Sequence, residues 1–252
     1  MLSAMSSQPA SGYWARLSSM MAPGGWVYQD AHYLVADMDV DPIAARRWVP
    51  WPLRPADPAG AMLFIAWFPT NTFGSVYREA GLLLHVEHLG RGAVFSPWMI
   101  VDDDVALILG RELLGYPKKM GEIDLHLDGD RISAVATRRG AELVRMEGTL
   151  GERVADPPPM LGRPHRNVRA SLGVALPKVI AFTPREEAIE VRRAVLDVKV
   201  GGSERDPLAE LGFGRIRSAH LHRVNLAAAL PPVPVALVSP LWFVRQWLLR
   251  AH

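Results

Sequence analysis

No cysteine occurs anywhere in the 252 residues. That excludes a disulfide framework and any thiolate metal site. It is compatible with a reducing compartment, and the expected location is cytoplasmic. An excess of one charge sign is also missing: 28 Lys and Arg stand against 26 Asp and Glu, a formal net charge of +2. Both signs are spread along the chain, so it shows no electrostatic footprint for nucleic acid. No apolar run reaches the roughly 20 residues of a membrane span, so no membrane partner is expected. The nearest, "LVSPLWFVRQWLLRAH", is interrupted by Pro240, Arg245 and Gln246 and reads as a packed terminal helix or subunit contact. The first 25 residues lack the basic start of a secretory signal. They are rich in Ser, Ala, Met, Pro and Gly and read as a flexible arm, or as a short amphipathic one on the spacing of Trp14, Leu17 and Met21. Without repeats or long linkers, residues 26–252 are expected to form a single domain.

What the chain does have is strand signal. Hydrophobic residues make up 49%, enough for a substantial core. "AMLFIAWF" and "AGLLLHVEHL" are continuous apolar runs, read as strands covered on both faces. "IDLHLDGDRISAVATRR" alternates on both sides of Asp128-Gly129, a pair suited to a tight hairpin turn. "AIEVRRAVLDVKVGG" reads as a long strand whose alternation slips, as at a bulge. Helical signals are fewer. "DPIAARRWV" has Asp41 as N-cap and Pro42 at the first helical position. "DDDVALILGREL" holds a second short helix, and "DPLAEL" a helical turn capped by Asp206. The expected class is α+β and β-rich: an antiparallel sheet closed into a cone-like barrel with a few short helices. Closure would remove exposed edges and leave an interior for a small ligand.

One stretch asks for chemistry. In "GRELLGYPKKMGEI", Lys118 and Lys119 follow a proline among apolar residues. Adjacent lysines are ordinarily solvated. Here Pro117 stiffens the backbone, Gly115 lets it bend, and an extended chain sends consecutive side chains to opposite faces. One lysine can therefore enter a pocket while the other stays out. A lysine is nucleophilic only as the free amine, and bringing its pKa from about 10.4 to about 6 or 7 takes roughly 4 to 6 kcal/mol against the ammonium. An apolar enclosure by Leu113, Leu114, Tyr116 and Met120 suits this, and the neighbouring cation Lys119 adds to it.

"GRELLGYPKKMG" resembles the signature of the acetoacetate decarboxylase family. "YREAG" at 77–81 resembles that family's tyrosine-x-glutamate element, and "DVDPIAARRWVPWPL" its opening segment, in the same order and spacing. The resemblance covers roughly residues 26–235. It implies a Schiff base between Lys118 and a ketone, with Lys119 close by and Glu79 managing protons. It also implies assembly as a homo-oligomer, with no metal or organic cofactor. An iminium at Lys118 would accept the electron pair of a breaking bond β to nitrogen, as in loss of CO₂ from a keto acid or in aldol cleavage or formation followed by dehydration. The expected function is a Schiff-base lyase acting on a keto acid or related carbonyl compound. An aldolase-dehydratase is the alternative within the family. A non-catalytic barrel binding a small molecule, or a silent subunit, is the alternative outside it.

The match departs from the family at two places. Ala31 in "YQDAHYL" stands where the family's decarboxylases carry an arginine, which would hold a substrate carboxylate by charge-assisted hydrogen bonds. The stretch 62–68, "MLFIAWF", has no acid where they carry a second glutamate. A more apolar pocket is expected, with Tyr77, Tyr116, Phe64, Trp67 and Trp98 as candidate lining. Elsewhere, His85, Glu87 and His88, and the pair His220 and His222, would bind metal only if the two groups met; hydrogen-bonded sheet histidines are the expectation. Asp102 to Asp104 read as a loop and helix cap, and Arg111 and Glu112 as loop-positioning ion pairs.

Overall fold

The computed structural model describes residues 27–170, 176–228 and 230–251. The arm expected over 1–25 lies outside them. The strands are β1 (Val27–Asp39), β2 (Arg54–Pro55), β3 (Gly60–Phe68), β4 (Thr70–Asn71), β5 (Tyr77–His88), β6 (Arg91–Val101), β7 (Lys118–Met120) and β8 (Glu122–Asp128). They continue as β9 (Arg131–Arg138), β10 (Ala141–Arg153), β11 (His165–Arg169), β12 (Lys178–Phe182), β13 (Arg185–Val200), β14 (Ile216–Ala227) and β15 (Val233–Leu237). Among the described residues three α-helices accompany them: α1 (Pro42–Trp48), α2 (Asp104–Leu114) and α3 (Pro240–Ala251). None among the described residues is long and apolar enough to cross a membrane.

Local chemistry sets the element ends. Asp41 accepts a hydrogen bond from the Ala44 amide at 2.7 Å, with Pro42 opening α1. Asp103 caps α2 in the same way through Ala106, also at 2.7 Å. The β8–β9 hairpin turns at Gly129, whose φ is +58°, a conformation that favours glycine. In β13 the register against β14 slips between Ala188 and Glu190, the bulge that the broken alternation predicts.

All the strands join one 15-stranded sheet whose main path runs β15-β12-β11-β6-β5-β3-β1-β14-β13-β10-β9-β8. Two expectations need correction. The sheet is mixed, because β6 pairs in parallel with both β7 and β11. The path also ends at β8 without rejoining β15, so the described hydrogen bonds do not close a barrel. The far edge of β6 is taken by β7 and β11, and β8 lies close to β3, β5 and β6 without bonding to them.

Strand alternation divides the apolar side chains between two cores. Leu34, Leu63, Leu82, Trp98 and Ile100 belong to one. Tyr33, Phe64, Tyr77, Met99 and Tyr116 belong to the other. Successive side chains on one strand point to opposite faces, so Trp98 and Met99 are parted by a single step. The second core holds the pocket.

Candidate active site

Helix α2 delivers the chain to the pocket and then stops abruptly. Gly115 ends it in the left-handed region at φ +63°. A side chain there would also meet the Val168 carbonyl at 2.8 Å, so glycine is required twice over. Asn167, fully buried on β11, donates to the Leu114 carbonyl at 2.9 Å and accepts from the Ser96 amide at 3.2 Å. It ties the end of α2 to β6. Beyond Pro117 the chain runs beside β6, with Lys118 opposite Met99 and Lys119 opposite Ile100.

The two lysines part at this point. Lys118 is 4% exposed and lines a partly open pocket with Glu79, itself 5% exposed. Its Nζ lies 2.8 Å from Glu79 Oε2. The same nitrogen is 5.4 Å from the Tyr77 ring centre and 6.0 Å from that of Tyr116. Gly110, on the facing turn of α2, leaves the gap the lysine stem occupies. Tyr28, Tyr33, Tyr77 and Tyr116, every tyrosine among the described residues, line the same space with Phe64 and Phe68. Tyr77 stacks on Phe68 with ring centres 4.4 Å apart. The space open to the centre of a water-sized sphere is about 50 Å³, several times the roughly 10–15 Å³ that one water needs.

Burial, reinforced by negative charge from Glu79 and neighbouring phenols, pushes the Tyr33, Tyr77 and Tyr116 phenols well above their ordinary pKa. They stay protonated and serve as donors. Tyr116 is oriented from behind by His165, whose ring is fully buried and stacked on Phe182 at 4.9 Å. Burial lowers the His165 pKa to about 4, so the ring is neutral. His165 Nε2 faces the Leu161 carbonyl at 3.1 Å, and a carbonyl only accepts. The proton therefore sits on Nε2, leaving Nδ1 to accept from the Tyr116 hydroxyl at 3.3 Å. Leu161 is held in turn by Glu186, which accepts from the amides of Met160, Leu161 and Gly162 at 3.0, 2.6 and 2.6 Å.

Lys119 faces the opposite way. Its Nζ donates to Asp206 and, at 3.2 Å, to the Arg205 carbonyl. Asp206 also accepts from Arg138 at 2.8 Å and from the Trp98 indole at 2.9 Å. Burial works to raise the Asp206 pKa, but these donors prevail and hold it below the usual carboxylate range. Burial likewise lowers the Lys119 pKa, against the opposing pull of Asp206. Lys119 thus sits within a buried ion cluster, where Asp206 counters the charge that was expected to act on Lys118. The cluster also overturns the expectation that Asp206 caps the helical turn Leu208–Leu211, which has no side-chain cap.

Of the candidate lining, Phe64, Tyr77 and Tyr116 are in place. Trp67 and Trp98 are not. Each lies one residue out of phase with a pocket residue on its strand: Trp67 packs on His32 with ring centres 5.1 Å apart, and Trp98 serves Asp206. Ala31 is fully buried in the pocket-side core. His85 contacts Asp37 at 3.0 Å, while His220 and His222 face one another across 5.7 Å. Among the described residues no three potential metal ligands come together. His165, Asn167 and Glu186 carried no recognisable sequence signal, since each acts through partners distant in the chain.

A model of the acetoacetate decarboxylase (ADC) family matches residues 11–232. The acetoacetate decarboxylase of Burkholderia cenocepacia is 33% identical over 109 residues, which is 43% of this chain and 44% of that protein. The chain thus matches under half the length of this curated relative. A solved structure described as structural studies of acetoacetate decarboxylase superposes with a TM-score of 0.78 at 19% identity, covering 86% of this chain and 90% of that one. The enduracididine biosynthesis enzyme MppR, complexed with pyruvate, gives 0.70 at 21% identity, covering 90% and 91%. These two likenesses establish the shared fold.

Proposed function

The chain belongs to the acetoacetate decarboxylase family, and from that premise we propose that it is a lyase working through a lysine iminium on a small carbonyl compound, keto acids falling within that class. The observation that carries this reading is the buried contact between Lys118 Nζ and Glu79 Oε2, 2.8 Å, inside an aromatic enclosure. Glu79 stands where it can take the proton that keeps the amine from attacking. The free amine adds to the carbonyl, the proton returns to the departing oxygen, and water leaves. The iminium then draws in the electron pair of a bond β to nitrogen. Loss of CO₂ from a keto acid and cleavage of an aldol adduct both use this sink. Neither step calls on a cofactor. The enclosure keeps competing water low and strengthens each electrostatic contact within it.

The same reading includes a cytoplasmic setting and assembly of several copies. Exposed apolar side chains at β15 and α3, among them Val233, Leu237 and Leu241, offer surface for the latter. The reading is tested by incubating the protein with small ketones and keto acids, reducing with borohydride and measuring the mass. An adduct mapping to Lys118 and lost in Lys118→Ala is expected. Reversible binding without an adduct would make the protein a binding module instead.

A further inference from the structure

The charges lining the pocket restrict what can enter it. Among the described residues that line it, Lys118 and Glu79 are the only charged side chains, 2.8 Å apart. The pair is neutral as a unit and stays so once the lysine becomes an iminium, because the nitrogen remains cationic. A substrate carboxylate would bring a second negative charge into a buried space whose cation is already matched. It would also face Glu79. Burying a carboxylate without its own partner is costly, and like charges at close range add to the cost. Ala31, buried in the same core, supplies no guanidinium. What the walls do supply is phenols, held protonated, which suit the oxygens of an uncharged molecule.

Resting on the lysine-iminium reading of this site, we propose that the pocket takes an uncharged β-hydroxy ketone and cleaves or forms the carbon–carbon bond between its α and β carbons, rather than decarboxylating a keto acid. The Lys118 amine condenses with the ketone and releases water. The Glu79 carboxylate takes the β-hydroxyl proton. The electrons of that O–H bond form the C=O of the departing aldehyde or ketone. The Cα–Cβ pair becomes the C=C of an enamine, and the C=N π pair returns to nitrogen. The Glu79 carboxyl then protonates the enamine at Cα, restoring the iminium and the carboxylate. Water adds to the iminium carbon, and the product ketone leaves the regenerated amine. The water released on condensation balances the water consumed on hydrolysis. This sequence gives Glu79 a proton to move at the bond-breaking step, whereas loss of CO₂ requires no base there.

The test compares 4-hydroxy-4-methyl-2-pentanone and 4-hydroxy-2-butanone with acetoacetate and pyruvate at equal concentration. Borohydride-trapped Lys118 adducts are followed by mass and released products by NMR. The hydroxy ketones are expected to be trapped at least about tenfold faster than the keto acids, with acetone appearing from 4-hydroxy-4-methyl-2-pentanone. Keto acids trapped equally fast, or CO₂ released from acetoacetate, would overturn the inference and leave the lyase reading standing. No adduct from any of the four would overturn both. In Glu79→Gln the pocket gains a net positive charge, so keto acid trapping should rise relative to hydroxy ketone trapping by about tenfold or more. An unchanged ratio in that folded variant would remove the electrostatic basis of the proposal.

Discussion

Gly110 lies directly against Lys118: a Cβ placed on that glycine would stand 2.7 Å from the lysine Cε and 3.1 Å from its Nζ. A glycine inside a helix sacrifices about 1 kcal/mol relative to alanine, so α2 gives up stability at this turn to admit the lysine stem. Gly110→Ala should therefore leave the fold intact, because the group in its way is the end of a flexible side chain. The amine would be displaced, and a misplacement of about 1 Å can slow a positioned reaction by about a hundredfold. Borohydride trapping and thermal melting measure the two effects separately. An unchanged trapping rate would show that the stem has room to spare.

Asp206 joins Lys119, Arg138 and Trp98 across long stretches of chain. Asp206→Asn takes the anion from between two buried cations and should cost about 3 kcal/mol or more in stability. Lys119→Met leaves Asp206 bonded to Arg138 and Trp98 and should cost less. In the folded Lys119→Met protein, trapping at Lys118 should stay within a few fold of the parent. Its loss would return a chemical role to Lys119.

The sequence was most legible where physics is local. Asp41 and Pro42 announced α1, the broken alternation of 188–202 announced a bulge, and strand parity put Lys118 and Lys119 on opposite faces. The same parity, applied without knowing which face held the pocket, could not separate Trp98 from Met99 or Trp67 from Phe68. Asp206 looked like a cap because its neighbours in sequence suggest one, while its partner Lys119 stands 87 residues away. The parallel pairing of β7 and β11 with β6 was hidden for the same reason: no local pattern encodes which distant edge a short strand will join.

Glu186 gathers three backbone amides of the loop that carries Leu161 to the pocket wall. Glu186→Ala leaves those amides to water or to nothing, at about 1–3 kcal/mol for a buried donor left unmet. Amide hydrogen exchange at 160–162 should quicken and the melting temperature fall. Protection equal to the parent's would mean that other contacts hold the loop.

His165 and His222 make the protein sensitive to acid. Burial lowers the pKa of each to about 4 in the folded chain. In the unfolded chain each protonates near 6.5. Between those values the unfolded state binds more protons, so stability rises with pH across the window and falls as pH drops from about 6.5 to about 4. Each shift corresponds to about 3 kcal/mol as an order of magnitude. Carboxylates held low by cationic partners, Asp206 among them, add their own loss below that window. His165→Gln keeps a donor for the Leu161 carbonyl and an acceptor for Tyr116 but cannot titrate. Urea unfolding at a series of pH values from 7 to 4 should show its stability falling less steeply than the parent's, by the slope of about one proton. Identical slopes would mean that His165 is already protonated, or that its loop opens, before the acid transition begins.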